Sequence, residues 1–73
     1  MLYFVVEIEV MKDGTIAKAI SDGKTQAQAL SQYHQTFASA VINDNVKRVF
    51  CEVKDSYGNT YIKEYWEAPE EEA

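Results

Sequence analysis

Residues 2–20 read LYFVVEIEVMKDGTIAKAI, and their pattern decides the fold. From Leu2 to Met11 the side chains alternate: Leu2, Phe4, Val6, Ile8 and Val10 fall on one face, and Tyr3, Val5, Glu7, Glu9 and Met11 on the other. A period of two carried by β-branched and aromatic residues predicts a strand. Asp13-Gly14 supplies residue types suited to a tight hairpin turn. Ile16-Ala17-Lys18-Ala19-Ile20 then predicts a second strand, paired with the first, although its alanines are weak strand formers.

Outward from this hairpin, Ser21–Lys24 has the composition of a loop. Thr25-Gln26-Ala27-Gln28 fits a capping box, with Thr25 at the N-cap and Gln28 reaching back to its amide. A helix is predicted from there to about Asn43. At 100° per residue, Leu30, Tyr33, Phe37, Ala40 and Val41 share one face, with Ala27 and His34 at its margin, as in a helix that packs on a sheet. Asn43-Asp44-Asn45 is a turn-favouring cluster. Val46 to Lys54 alternates again, with Val49, Cys51 and Val53 towards the helix and Phe50 away from it. Asp55–Asn59 reads as a hairpin loop with Gly58 available for a left-handed position. Thr60 to Glu67 predicts the last strand, and Pro69 stops it. The expected fold class is therefore α+β, in two layers and ββαββ order. A four-stranded, mainly antiparallel sheet carries one helix on one face. Residues 1–68 form a single domain, and 69–73 an acidic tail expected to be mobile.

Size and charge narrow the function classes. A chain of 73 residues is too short for two ordinary domains. With 47% hydrophobic and 12% aromatic residues it is too apolar to be disordered throughout. A net charge of −5 does not suit a wide phosphate footprint. Much of that charge is local: removing Glu67, Glu70, Glu71 and Glu72 takes away four of twelve acids, leaving eight against seven bases, or −1. A domain this small buries only about 60% of the surface its unfolded chain exposes. With the single cysteine Cys51 and the single histidine His34, it has no intramolecular disulfide and no ordinary Cys/His zinc site. Association with another chain is the reinforcement left to it. No targeting segment or membrane-spanning run is legible, since Glu7 and Glu9 interrupt the first apolar stretch. The expectation is a cytoplasmic protein, in keeping with one unpaired cysteine.

One helix can cover one face of the sheet, yet the strands hold more large apolar residues than one face uses. Tyr3, Val5, Met11 and Phe50 are expected to point away from the helix, together with either Tyr61 and Tyr65 or Ile62 and Trp66. An uncovered patch of this kind marks an interface. The candidate interface is Tyr3, Val5, Met11, Phe50, Tyr61 and Tyr65, and the expected partner a second copy, giving a homodimer. The outer helix face, with Gln28, Ser31, Gln32, Gln35, Thr36 and Ser39, bears no charge, and uncharged groups desolvate at lower cost than ions.

Chemistry-bearing groups are few. His34 lacks a nucleophile or carboxylate at a readable spacing, and a boundary histidine packed by its ring is the plainer account. Cys51 reads as a buried structural thiol. Glu7 and Glu9 share a strand face, as paired metal-binding carboxylates do, although acids on a partly exposed strand, neutralised by a cross-strand Lys18, are commonplace. Gly14, Gly23 and Gly58 are all turn glycines, so no phosphate-cradling loop is present. Lys47, Arg48 and Lys54 are flanked by acids, and no nucleic-acid partner is expected. No catalytic residue, cofactor or metal ligand is assigned.

The succession of strand, Asp13-Gly14 turn, strand, Gly23-x-Thr25 and helix over residues 2–42 resembles small antitoxins with a partial ribonuclease-H fold. That resemblance implies a regulatory, toxin-neutralising binder. The Pro-rich loop before the helix and the DNA-binding extension of that group have no counterpart here. Tyr3–Glu9, Tyr33-His34-Gln35, Ala38-Ser39-Ala40, the Val53–Gly58 hairpin and the acidic end are similar to short uncharacterised proteins from prophage and structural-gene neighbourhoods of gut Firmicutes. This second resemblance implies an origin and no chemistry. The combined expectation is a small non-enzymatic interaction or assembly protein that self-associates through its sheet face. An antitoxin-like or other regulatory protein-binding module is the alternative.

Overall fold

Strand β1 (Tyr3–Met11) and strand β2 (Ile16–Ile20) form the first hairpin, helix α1 (Gln26–Val41) follows, and β3 (Val46–Asp55) and β4 (Thr60–Glu67) form the second. The computed structural model describes residues 1–69, so the acidic run at 70–72 lies outside the described residues. The four strands form one sheet in the order β2-β1-β3-β4, with every neighbouring pair antiparallel. The expected ββαββ order and two-layer α+β architecture are present.

Local chemistry explains the element ends. Gly14 takes φ +92° in the first hairpin, while the Asp13 carboxylate accepts the Thr15 amide at 2.9 Å. Gly58 takes φ +87° in the second, while Asp55 Oδ1 accepts the Tyr57 and Asn59 amides at 2.9 and 3.0 Å. A side chain at either glycine would have to enter a region L-residues rarely adopt. The capping box closes in both directions at 3.2 Å, Gln28 N–H donating to Thr25 Oγ1 and Thr25 N–H to Gln28 Oε1. The helix ends at Val41, two residues short of the expected Asn43. Its chain there turns away, with the Asn43 side chain accepting the Asn45 amide at 2.9 Å.

Helix α1 packs on β1 and β3 and buries two adjoining clusters. In the first are Val5, Ala29, Tyr33, Cys51 and Val53, with Tyr3, Leu30, Phe37 and Ile62 against them. The second holds Ala40, Val46 and Val49, with Met11, Phe37, Val41 and Trp66 against them. Ala29 and Ala40 are small enough to let the helix backbone approach the sheet.

Here the structure corrects the expectation for β1. Tyr3, Val5 and Met11 face the helix and join the core; Val5 is only 3% exposed. The face turned away carries Phe4, Val6, Ile8 and Val10 instead. The physical reason lies in β3. One of its faces is apolar from Val49 through Cys51 to Val53, whereas the other carries Arg48, Phe50, Glu52 and Lys54. Only the apolar face can be dehydrated under the helix at low cost. The register then sets β1, because Val5 pairs with Val53, Glu7 with Cys51 and Glu9 with Val49. Cross-strand partners share a face, so β1 must present its odd-numbered residues to the helix.

Candidate interaction face

With α1 on one side, no element among the described residues covers the other side of the sheet. Its side chains form transverse rows, read directly from the strand register. One row runs Ile16, Val10, Arg48, Glu67. The next runs Lys18, Ile8, Phe50, Tyr65, and the third Ile20, Val6, Glu52, Lys63. Beyond it lie Phe4, Lys54 and Thr60. The apolar residues are contiguous: Ile16, Val10, Ile8, Val6, Ile20, Phe4, Phe50 and Tyr65. Ile16 is 64% exposed, Ile20 72% and Tyr65 59%. Every residue of β2 is exposed, as fits an edge strand in a hairpin with no helix above it.

The charged residues of this face sit mainly on β3 and β4. Arg48 Nε approaches Glu67 Oε2 at 3.9 Å, and Lys54 Nζ approaches Glu52 Oε1 at 3.5 Å. Glu52 is buried to 8% exposure, and its Oε2 also accepts the Thr60 hydroxyl at 2.9 Å. Two ion pairs thus lie within the face, on β3 and β4, while the β2–β1 half is hydrocarbon apart from Lys18.

Of the six residues proposed for an interface, Phe50 and Tyr65 lie here, as neighbours across β3 and β4. Tyr61 falls beside the register irregularity at Val53/Lys54 and sets its ring edge-on to Tyr3 at 6.1 Å. Tyr3, Val5 and Met11 belong to the opposite side. The residues missed are Val6, Ile8, Val10, Ile16 and Ile20. A signal for them existed: the alternating charges of β3 mark its outer face, and Ile16 and Ile20 flank the small Ala17 and Ala19.

The helix side holds Glu7, Glu9, Tyr33, Cys51 and Glu64. Glu7, Glu9, Gln35, Thr36, Ser39, Ala40 and Asn43 line a cleft of about 370 Å³ between β1 and α1. Lys18 pairs with Ile8 and so lies on the opposite face from these acids, not beside them. Burial, reinforced by a hydrogen bond and the charge of Glu9, raises the Glu7 carboxyl from its ordinary 4.5 to about 7. The Tyr33 hydroxyl donates to Glu64 Oε1 at 3.0 Å, and burial together with that carboxylate raises its pKa. Burial pushes the Cys51 thiol up to about 12, with Glu7, Glu52 and Glu64 adding to the effect, so its nucleophilic thiolate is suppressed. His34 is exposed, its ring edge-on to Tyr33 at 5.1 Å. Among the described residues no group of three or more His, Cys, Asp or Glu converges as a metal site. No helix among them is long and apolar enough to cross a membrane.

Comparisons with family models, with curated proteins and with solved structures return no match.

Proposed function

We propose that this chain is a small non-enzymatic interaction or assembly protein of the cytoplasm that self-associates through the open face of its sheet. One observation carries the proposal: the more apolar face of β1, with Ile16 and Ile20 of β2 and Phe50 and Tyr65 beside it, is the face the helix does not cover. A solvated face of an antiparallel sheet ordinarily alternates to polar residues. Contiguous apolar surface on this scale marks a contact site. Four strands about 4.8 Å apart, the longest rising about 3.4 Å per residue, give a footprint of roughly 500 Å². A standard interface buries roughly 800 Å² per partner. A second copy supplies a matching apolar sheet, and two such sheets stack about 10 Å apart. The buried, suppressed thiol of Cys51 agrees with a structural role for that residue.

Light scattering at micromolar concentration tests this directly. The expected mass is twice the 8.3 kDa of one chain. Tyr65→Lys, at an exposed position, should return it to 8.3 kDa while leaving the circular dichroism spectrum unchanged. A wild-type protein that stays at the mass of one chain up to millimolar concentration overturns the proposal.

A further inference from the structure

We infer that two copies pair face to face about a two-fold axis that runs across the strands, over the row Lys18, Ile8, Phe50, Tyr65. This register rests on the self-association proposed above, and it is carried by the arrangement of charge on the open face.

Rotation about such an axis reverses the strand direction. It places the Ile16–Val10–Arg48–Glu67 row of one copy opposite the Ile20–Val6–Glu52–Lys63 row of the other. Arg48 then meets Glu52, and Glu67 meets Lys63. On the apolar half Ile16 meets Ile20 and Val10 meets Val6. Along the axis Ile8, Phe50 and Tyr65 each meet their own counterpart. Lys18 also meets its counterpart, at the outer edge of β2, where a long side chain can carry its ammonium into water. Phe4 falls outside the exchanged rows and stays at the ends of the interface.

The alternative two-fold axes run along the strands and keep each row on itself. Centred on β1, such an axis sets Arg48 on Ile16, Glu52 on Ile20 and Lys18 on Phe50. Centred between β1 and β3, it sets Glu67 on Ile16, Lys63 on Ile20 and Glu52 on Val6. Each of these desolvates charges against hydrocarbon with nothing in return, which is costly. The transverse axis alone sends every charge of the exchanged rows to an opposite charge and every aliphatic side chain to another. Packed sheets cross at about 30°, and the long side chains of Arg48, Lys63 and the glutamates absorb the resulting offset of the outer positions.

The test uses two single variants, Lys63→Glu and Glu67→Lys, at exposed positions of β4. Alone, each sets like charges opposite one another twice per dimer. Each should raise the dimer dissociation constant about tenfold, as expected for exposed pairs turned from attractive to repulsive. Mixed in equal amounts they should form a heterodimer at wild-type affinity, since every 63–67 contact is again between opposite charges. The neighbours within each chain are the same in the mixture as in the separate variants, so recovery reads the contact between copies alone. Failure of the mixture to recover, with a dimeric wild type, overturns the register and leaves the self-association standing. A monomeric wild type overturns both. Tyr65→Cys supplies a second readout, because of the three axes compared only the transverse one brings position 65 to its own counterpart. A short bis-maleimide should cross-link that variant to a dimer in high yield, and absence of the cross-link overturns the axis.

Discussion

Glu7 is the carboxylate whose protonation burial shifts upward. Its carboxyl sits beside Glu9 under a helix that carries no acid in its first turn and no base in its last. Glu64 and the Cys51 thiol lie on the same side of the sheet, and Lys18 lies on the other. With its folded pKa at about 7 and its ordinary value at 4.5, the folded state binds the extra proton between those values. The protonated carboxyl is tolerated in the cleft at full stability below about 4.5. As pH rises towards 7 the unfolded chain ionises first and the contribution is lost. Urea unfolding should therefore show stability falling from pH 5 to pH 7.5. Glu7→Gln should flatten that slope and exceed the wild type in stability above pH 7. An equal slope in both proteins sinks the assignment. Asp13 and Asp55 act in the opposite sense. Backbone amide donors, from Thr15 to Asp13 and from Asn59 first to Asp55, hold both carboxyls below their ordinary range. Their contribution is present at neutral pH and lost only in stronger acid.

Among the elements, α1 depends most on its start. Thr25 and Gln28 satisfy each other's backbone donors, and no first-turn acid or last-turn base adds dipole stabilisation. Thr25→Ala should cost about 1 kcal/mol, read as a lower urea midpoint with an unchanged slope. A loss under about 0.3 kcal/mol would show the cap to be dispensable. The capping box, the two turn glycines and the strand–strand–helix–strand–strand order were legible because each depends on residues within one turn of the chain. The inner face of β3 was legible too, since Val49, Cys51 and Val53 alternate with charged residues. The inner face of β1 was not, because both of its faces carry large apolar groups. Glu7 and Glu9 made its true inner face look like the outer one. The choice was made 40 or more residues away, by the one-sided polarity of β3 and the pairing of Val5 with Val53. Half the proposed residues moved with it: Phe50 and Tyr65 lie on the open face, while Tyr3, Val5 and Met11 lie under the helix and Val6, Ile8, Val10, Ile16 and Ile20 take the open side. Tyr61 was displaced by an irregularity in the β3–β4 register, which no local pattern announces.

For the whole molecule, folding and association are expected to be linked. A domain of this size holds a small core, centred on eight buried apolar residues among those described. Covering the open face with a second copy adds burial that the single chain lacks. The thermal midpoint should accordingly rise with protein concentration over 1 μM to 1 mM. It should become independent of concentration in Tyr65→Lys. A wild-type midpoint constant over that range would separate folding from association and count against the dimer. The split of charge fits the same picture, since residues 1–69 carry nine acids against seven bases and three of the twelve acids stand together at 70–72.

Trp66 is the chain's single tryptophan, and it packs with Ala40, Val46 and Val49 on the helix side of the sheet. Tyr65, the next residue back, looks out on the other side. The protein thus carries an intrinsic fluorophore that watches the docking of the helix and is shielded by the sheet's own thickness from whatever meets the opposite surface. Emission from Trp66 and molecular mass are two separate gauges on the same solution, one for the closing of the fold and one for the meeting of copies.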